Sequence, residues 1–243
     1  ILYKAPCSRF AKAYIPNTSI KDNARFHRNQ KTVMAVDVKN FFPSIKSGYI
    51  LNVFLSLGYN LATAVILTRL CCLRESLPQG APTSAYLSNL VMLHFDENIS
   101  KYCVAHGIRY TRYADDLTFS GNFDIAAVLY LVDRELKYLN LKRNSKKLKI
   151  MHSYHSQRTT GIVVNKKQQL PREYRMKIRQ EVHYIRKFGL DDHLAHIGES
   201  HSNYINHLLG KIKYALFINP NDEKMQSYWD IVHVYKIRDH PNK

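Results

Sequence analysis

Acid is what this sequence is short of. Nineteen Asp and Glu stand against thirty-six Lys and Arg, with twelve His in reserve, which leaves a formal charge of +17. The default partner of such a chain is a polyanion, with nucleic acid ahead of an anionic membrane. Long apolar runs are missing too. None reaches the length of a membrane span, and no signal peptide opens the sequence. Cysteine is sparse, and Cys7, Cys71, Cys72 and Cys103 have neither metal-knuckle nor redox spacing. They read as buried, reduced thiols of a cytosolic protein. Internal repeats and low-complexity segments are absent. What is present is an ordinary hydrophobic content of 45%, which excludes wholesale disorder. At 243 residues the chain can bury a core in one large or two modest domains.

Along the chain, Val33 to Asp37 is a short apolar run ending in a carboxylate, which predicts a buried strand. Phe41-Phe42-Pro43-Ser44 follows as a turn, with Ser44 or Ser47 capping a helix that runs to about Leu57. Residues 61–74 predict a second helix, apolar nearly all round and therefore buried. Leu77-Pro-Gln-Gly-Ala-Pro82 is a loop by its Pro and Gly content. A long helix follows from Thr83 to about Ala105, closed by Gly107. Strands over 108–113 and 117–120 flank the pair Asp115-Asp116, and an amphipathic helix covers 124–140. Between Lys137 and Lys187 fifteen Lys and Arg meet two acids, so most of the excess charge lies in about a fifth of the length. In the helix predicted over 172–188, Arg172, Arg175, Arg179, His183 and Arg186 form one stripe. Tyr174, Ile178, Val182 and Ile185 form another beside it. One face packs, and its neighbour is a row of cations suited to a phosphate backbone. Helical stretches near 202–217 and 222–235 complete a small bundle, and the chain divides near residue 165.

The chemistry rests on Tyr113-Ala114-Asp115-Asp116. Two adjacent carboxylates are costly on a half-buried sheet unless a cation sits against them, and a divalent ion does that best. The other reading is a solvated hairpin turn, where Asp is common. If the strand ending at Asp37 lies beside this hairpin, three carboxylates converge. Such a cluster can hold two Mg²⁺ ions for an in-line phosphoryl displacement.

Three segments in order, Val36-Asp37-Val-Lys-Asn-Phe-Phe42-Pro-Ser-Ile45, Leu77-Pro-Gln-Gly-Ala-Pro82 and Tyr113-Ala-Asp-Asp116, resemble the palm motifs of reverse transcriptases. Asn144-Ser-Lys-Lys147 resembles the lysine-bearing motif that follows them. Asn23-Ala24-Arg-Phe-His27 and Thr160-Gly161-Ile-Val-Val164 resemble signatures of the retron branch, with Thr159 where that branch usually has Val. The resemblance covers roughly residues 15–190. It implies an α+β right-hand polymerase: fingers, in part, and palm over 1–165, then a basic helical thumb over 166–243. The N-terminal fingers residues that grip the triphosphate have no counterpart, and the chain opens on Ile rather than Met. Ala85 stands where many relatives carry Pro.

The resemblance also implies roles. Asp37 and Asp115 bind the metals with the Val38 carbonyl, and Asp116 supports them. Phe42 is the steric gate against a ribose 2′-OH, or else a core aromatic beside Phe41. Gln79 and Gly80 touch the incoming nucleotide, or else form an ordinary turn. Lys147, or its neighbour Lys146, protonates the departing pyrophosphate, a merely solvated lysine being the alternative for either. Asn23 and His27 contact nucleic acid, or else are a helix-entry Asn and a structural His. Lys146, Arg158, Arg172, Arg175, Arg179 and Arg186 hold RNA phosphates, and the Tyr and His interleaved around 149–158 stack on bases. A retron enzyme copies part of a structured noncoding RNA into single-stranded DNA. It consumes dNTPs and primes from a guanosine 2′-OH to leave a branched RNA–DNA. The setting is the bacterial cytoplasm, in phage defence beside an effector protein and away from membranes. Two alternatives stand: a group II intron-like, diversity-generating or other defence-associated reverse transcriptase, and a catalytically silent RNA-binding scaffold on the same fold.

Overall fold

A computed structural model describes residue 2, residues 5–198 and residues 201–239. The chain separates into two compact units, one holding residues 1–160 and 164–166, the other residues 161–163 and 167–243.

The first unit is organised by a four-stranded antiparallel sheet in the order β2-β3-β1-β4. Its strands are β1 (Thr32–Asp37), β2 (Arg109–Tyr113), β3 (Asp116–Gly121) and β4 (Lys149–His152). β1 lies inside the sheet and is β-branched and apolar along most of its length, as a strand paired on both edges should be. Helices α1 (Ile20–Phe26), α2 (Phe41–Ser44), α3 (Ser47–Ser56), α4 (Leu61–Cys71), α5 (Pro82–Val91), α6 (Leu93–Ala105) and α7 (Ile125–Tyr138) surround it. Alternation divides the strands by face. Met34, Val36, Tyr110, Leu117 and Phe119 pack with Leu87, Phe95, Ile99, Val128, Val132 and Leu136 of α5, α6 and α7 in one core. Helix starts follow their side chains. Ser19 and Asp22 form a reciprocal capping box on α1. Asn60 caps α4 and Asp124 caps α7.

Several expectations are corrected. Neither Ser44 nor Ser47 caps α3: its N-cap is Lys46, and the Ser47 hydroxyl donates to Glu75 instead. The single helix over 83–105 is two, meeting at Met92, where the Ser88 hydroxyl bonds back to the Ala85 carbonyl and competes with the helical ladder. The helix α4 is not buried. It packs on α3 and buries only Ala64 and Thr68, while Leu61, Ile66 and Leu70 are 62%, 60% and 79% exposed. An all-round apolar sequence signals burial only when partners exist on every side. Of the four cysteines, all free, Cys103 alone is fully buried.

The second unit is helical: α8 (Arg172–Phe188), α9 (Leu190–Ile197), α10 (His201–Ile218) and α11 (Glu223–Asp239). The helix α8 buries Ile178, Val182 and Ile185 and packs on α10 and α11, whose buried residues include Ile205, Leu208, Ile212, Met225 and Val232. Glu181 accepts from Lys211 Nζ at 3.0 Å and from the Tyr204 hydroxyl at 3.1 Å, tying α8 to α10. Gly189, at φ +86°, breaks the chain between α8 and α9, and α9 is a helix not expected from the sequence. Among the described residues no helix is long and apolar enough to cross a membrane.

Candidate active site

The sheet brings the three carboxylates to one end. In the β1–β3 register Asp37 lies opposite Asp116, and in the β2–β3 register Tyr113 does too, so Ala114 and Asp115 make a two-residue hairpin turn. Ala114 sits at φ +57°, the left-handed backbone that such turns require and non-glycine residues resist. Strain of this kind concentrates at functional sites. The Asp115 carbonyl accepts from the Val38 N–H at 3.0 Å, fastening the turn to the end of β1.

A third segment closes on Asp37. Its carbonyl accepts from the Asn144 N–H at 2.8 Å, its Oδ1 from Asn144 Nδ2 at 3.0 Å, and its Oδ2 from Lys147 Nζ at 2.9 Å. The short 3₁₀ turn over Ser145–Lys147 sends Lys147, not Lys146, to the carboxylate. Hydrogen bonding to Asp37, then its charge, holds the Lys147 ammonium above its ordinary range. The Lys147 side chain is still 63% exposed and open to a ligand.

The electrostatics mark a site short of positive charge. Burial pushes the Asp115 carboxyl up and Asp37 adds to it, with Lys147 and a backbone hydrogen bond partly offsetting both. Burial, then the charges of Asp115 and Asp37, push Asp116 up to about 6, although its side chain still reaches water that screens part of the repulsion. Carboxylates that raise one another's pKa are the donor set a hard cation relieves, so the chemistry fits a divalent metal. The geometry is not drawn in around one: among the described residues no group of three or more His, Cys, Asp or Glu is arranged to hold an ion. Two atoms of Asp37 are instead engaged by Asn144 and Lys147.

The remaining expected residues separate by exposure. Phe41 takes the core position and Phe42 is half-buried beside it, ring centroids 5.3 Å apart. Gln79 and Gly80 are exposed in the loop before α5, with Gly80 at φ +92°, a conformation that favours glycine. Arg172, Arg179 and Arg186 are exposed on α8 and Arg175 is half-buried, donating to the Leu170 carbonyl. Arg158 is exposed in the first unit. Asn23 and His27 are both fully buried, with no side-chain surface open to solvent. His27 lies between Thr111 Oγ1 and Ser120 Oγ, each at 2.7 Å, and the Thr111 hydroxyl donates to Asn23 Oδ1 at 2.6 Å. These are the interior bonds that the structural alternative describes.

Sequence reasoning missed a fully buried cluster under the hairpin. Arg112 donates from Nε and Nη2 to the two oxygens of Asp96, at 2.9 and 2.7 Å, and from Nη1 to Asn89 Oδ1 at 2.9 Å. The Tyr110 hydroxyl donates to Asp96 at 2.7 Å. The signal was present. On β2, Arg112 occupies the same face as Tyr110, so a cation was aimed into the core and required a buried partner.

Comparison with known proteins adds the lineage. The family described as "Reverse transcriptase (RNA-dependent DNA polymerase)" matches residues 4–185. The Retron Ec86 reverse transcriptase of Escherichia coli is 36% identical over 189 residues, covering 76% of this chain and 59% of that protein. The Retron Mx65 reverse transcriptase of Myxococcus xanthus is 31% identical, covering 90% and 54%. The Retron Ec73 reverse transcriptase of Escherichia coli is 32% identical, covering 91% and 73%. The chain thus spans little more than half the length of the first two. A solved telomerase from Candida albicans, in complex with a fragment of telomeric RNA, has a TM-score of 0.49 at 8% identity, covering 92% of this chain and 51% of that one.

Proposed function

This chain belongs to the reverse transcriptase family and is of the retron type, and on that premise we propose that it is an RNA-directed DNA polymerase whose reaction centre is the carboxylate end of the sheet. One observation carries the reading: Asp37 and Asp116 face each other in register, Asp115 lies in the adjoining turn, and the Lys147 ammonium rests on Asp37.

Divalent ions, Mg²⁺ in our reading, would be held by Asp37, Asp115 and the Val38 carbonyl with Asp116 in support, where they supply activation of the attacking hydroxyl and neutralisation of the pyrophosphate. Lys147, charged and exposed beside Asp37, holds a proton where the leaving group departs and can donate it. The half-buried Phe42 ring excludes a ribose 2′-OH, and the exposed Gln79-Gly80 backbone meets the nucleotide. The first unit acts as the palm with part of the fingers, and the second as the thumb. Arg172, Arg175, Arg179 and Arg186 on α8, with Arg158 in the first unit, neutralise RNA phosphates.

The finer proposal is retron chemistry. The template is a structured noncoding RNA, the primer is a guanosine 2′-OH within it, and the product is branched RNA joined to single-stranded DNA. The work is done in the bacterial cytoplasm, in phage defence beside an effector protein. The retron relatives and the basic stripe of α8 support it.

Primer extension with the full-length protein, Mg²⁺ and dNTPs tests the activity. Wild type extends the primer, and Asp115→Asn falls by about 10³-fold or more. Equal extension by the two overturns the assignment. Sequencing the nucleic acid that copurifies tests the rest: a 2′,5′-branched RNA–DNA supports retron chemistry, whereas bulk tRNA or rRNA counts against it.

A further inference from the structure

We propose that Arg112, locked by Asp96, is a positioning residue that fixes the hairpin carrying Asp115 and Asp116 from beneath. The inference rests on the assignment of those carboxylates to the reaction centre. Beyond its bonds to Asp96 and Asn89, Arg112 Nη1 also donates to the Ala114 carbonyl at 3.2 Å. Ala114 is the left-handed residue of the turn and immediately precedes Asp115. The guanidinium therefore spans from the helix pair α5–α6 to the backbone of the turn itself.

Three features make this a brace. Asn89 lies in the last turn of α5 and Asp96 in the first turn of α6, on either side of Met92, and both present their oxygens to one planar group. The Arg112 backbone is also anchored, its N–H donating to the Phe10 carbonyl at 2.9 Å and its carbonyl accepting from the Lys12 N–H at 2.7 Å. And the turn is gripped at both of its residues: the Ala114 carbonyl by Arg112, the Asp115 carbonyl by Val38. With both peptides held, rotation of the turn, which would swing the Asp115 carboxylate, is opposed. A lysine could neutralise Asp96 but has no fork to serve Asp96, Asn89 and Ala114 together.

Purely structural burial predicts a different result from positioning, and steady-state primer extension beside thermal unfolding separates them. Arg112→Lys keeps the charge and loses the arm on Ala114. We expect kcat to fall by about 10- to 100-fold while KM for dNTP stays within about 3-fold and half-maximal activity needs more Mg²⁺. Tyr110→Phe removes another bond to Asp96 without touching the turn, and its kcat stays within about 2-fold while its melting midpoint drops. The inference is overturned if folded Arg112→Lys keeps wild-type kcat, or if both variants lose kcat in proportion to lost stability. Should Arg112→Lys fail to fold, Asn89→Ser decides: a kcat loss of about 3-fold or more at unchanged KM supports the brace, and an unchanged kcat overturns it. Asp115→Asn in the same assay distinguishes the two levels. If it stays active, the reaction-centre assignment fails; if it is dead while Arg112→Lys is fully active, only the brace fails.

Discussion

Thr111 and Arg112 are neighbours on β2, yet their side chains enter two interiors built from opposite chemistry. On the helix-packed face, Arg112 and Asp96 are a fully buried ion pair, joined by Tyr110 and Asn89. Burial opposes the guanidinium's charge, but the Asp96 carboxylate more than offsets it and holds Arg112 above its ordinary range. On the other face Thr111 joins His27, Asn23 and Ser120 in a chain of neutral groups. There burial, then the charge of Arg109, pushes His27 down to about 3, so its ring is neutral. Donor counting then sets its tautomer. The Thr111 hydroxyl hydrogen goes to Asn23, so His27 Nε2–H donates to Thr111, and Nδ1 accepts from the Ser120 hydroxyl. The charged cluster reaches the turn that carries Asp115, whereas the neutral one stops at Ser120. The difference teaches that the same hairpin is braced on one side and sealed on the other, and that the two sides should fail differently.

The largest effect belongs to the charged side. Asp96→Ala strands Arg112 in the interior and should cost about 3–5 kcal/mol in chemical denaturation. A loss below about 1 kcal/mol would mean that water or another acid reaches the guanidinium, and the comparison would collapse. The neutral side should yield less. Thr111→Val leaves the Asn23 oxygen and the His27 N–H unpaired for about 1–3 kcal/mol, with kcat unchanged in primer extension. A kcat loss there as large as that of Arg112→Lys would show that both faces position the turn.

Much of the site was legible in the sequence, because a strand fixes what alternates along it. Asp37 at the end of an apolar run and Asp115-Asp116 between two short strands could meet only if those strands were neighbours, and β1 pairs with β3 as required. The choice between Lys146 and Lys147 was not legible, since it turns on the phase of the short 3₁₀ turn over Ser145–Lys147. Nor was Asp96 separable from other helical acids until Arg112 was seen beneath it. The motif Asn23-Ala24…His27 pointed to the retron branch, and its residues have a second use in the fold. It marks residues that hold α1 to the hairpin, and their polar character serves an interior network. For α4 the composition was read correctly and the inference from it failed, because burial depends on neighbours that no local pattern reports.

The smallest effect is also the cleanest separation of the two clusters, because only one of them holds a histidine, whose ordinary pKa lies near neutral pH. His27 has an ordinary pKa of 6.5 and is held at about 3 when folded, so below 6.5 the unfolded chain binds a proton that the folded one refuses. Its contribution to stability is complete above 6.5 and is lost as pH falls toward 3, at about 1.4 kcal/mol per pH unit. Asp116 works in the opposite sense. Its folded pKa is raised to about 6, so the folded state binds more protons than the unfolded one between about 4 and 6 and gains stability on acidification. A bare pH profile therefore mixes the two, and the useful quantity is the stability gap between wild type and His27→Gln. Both proteins carry Asp116, so its effect cancels. The gap should be constant above pH 7 and shrink by about 1.4 kcal/mol for each unit below 6.5. The matching gap between wild type and Tyr110→Phe, on the charged side, should hold level over the same range. A gap for His27→Gln that stays flat from pH 7.5 to 5 would mean that His27 takes up its proton in the folded state. It would then be charged like Arg112, and the contrast between the two faces would be gone.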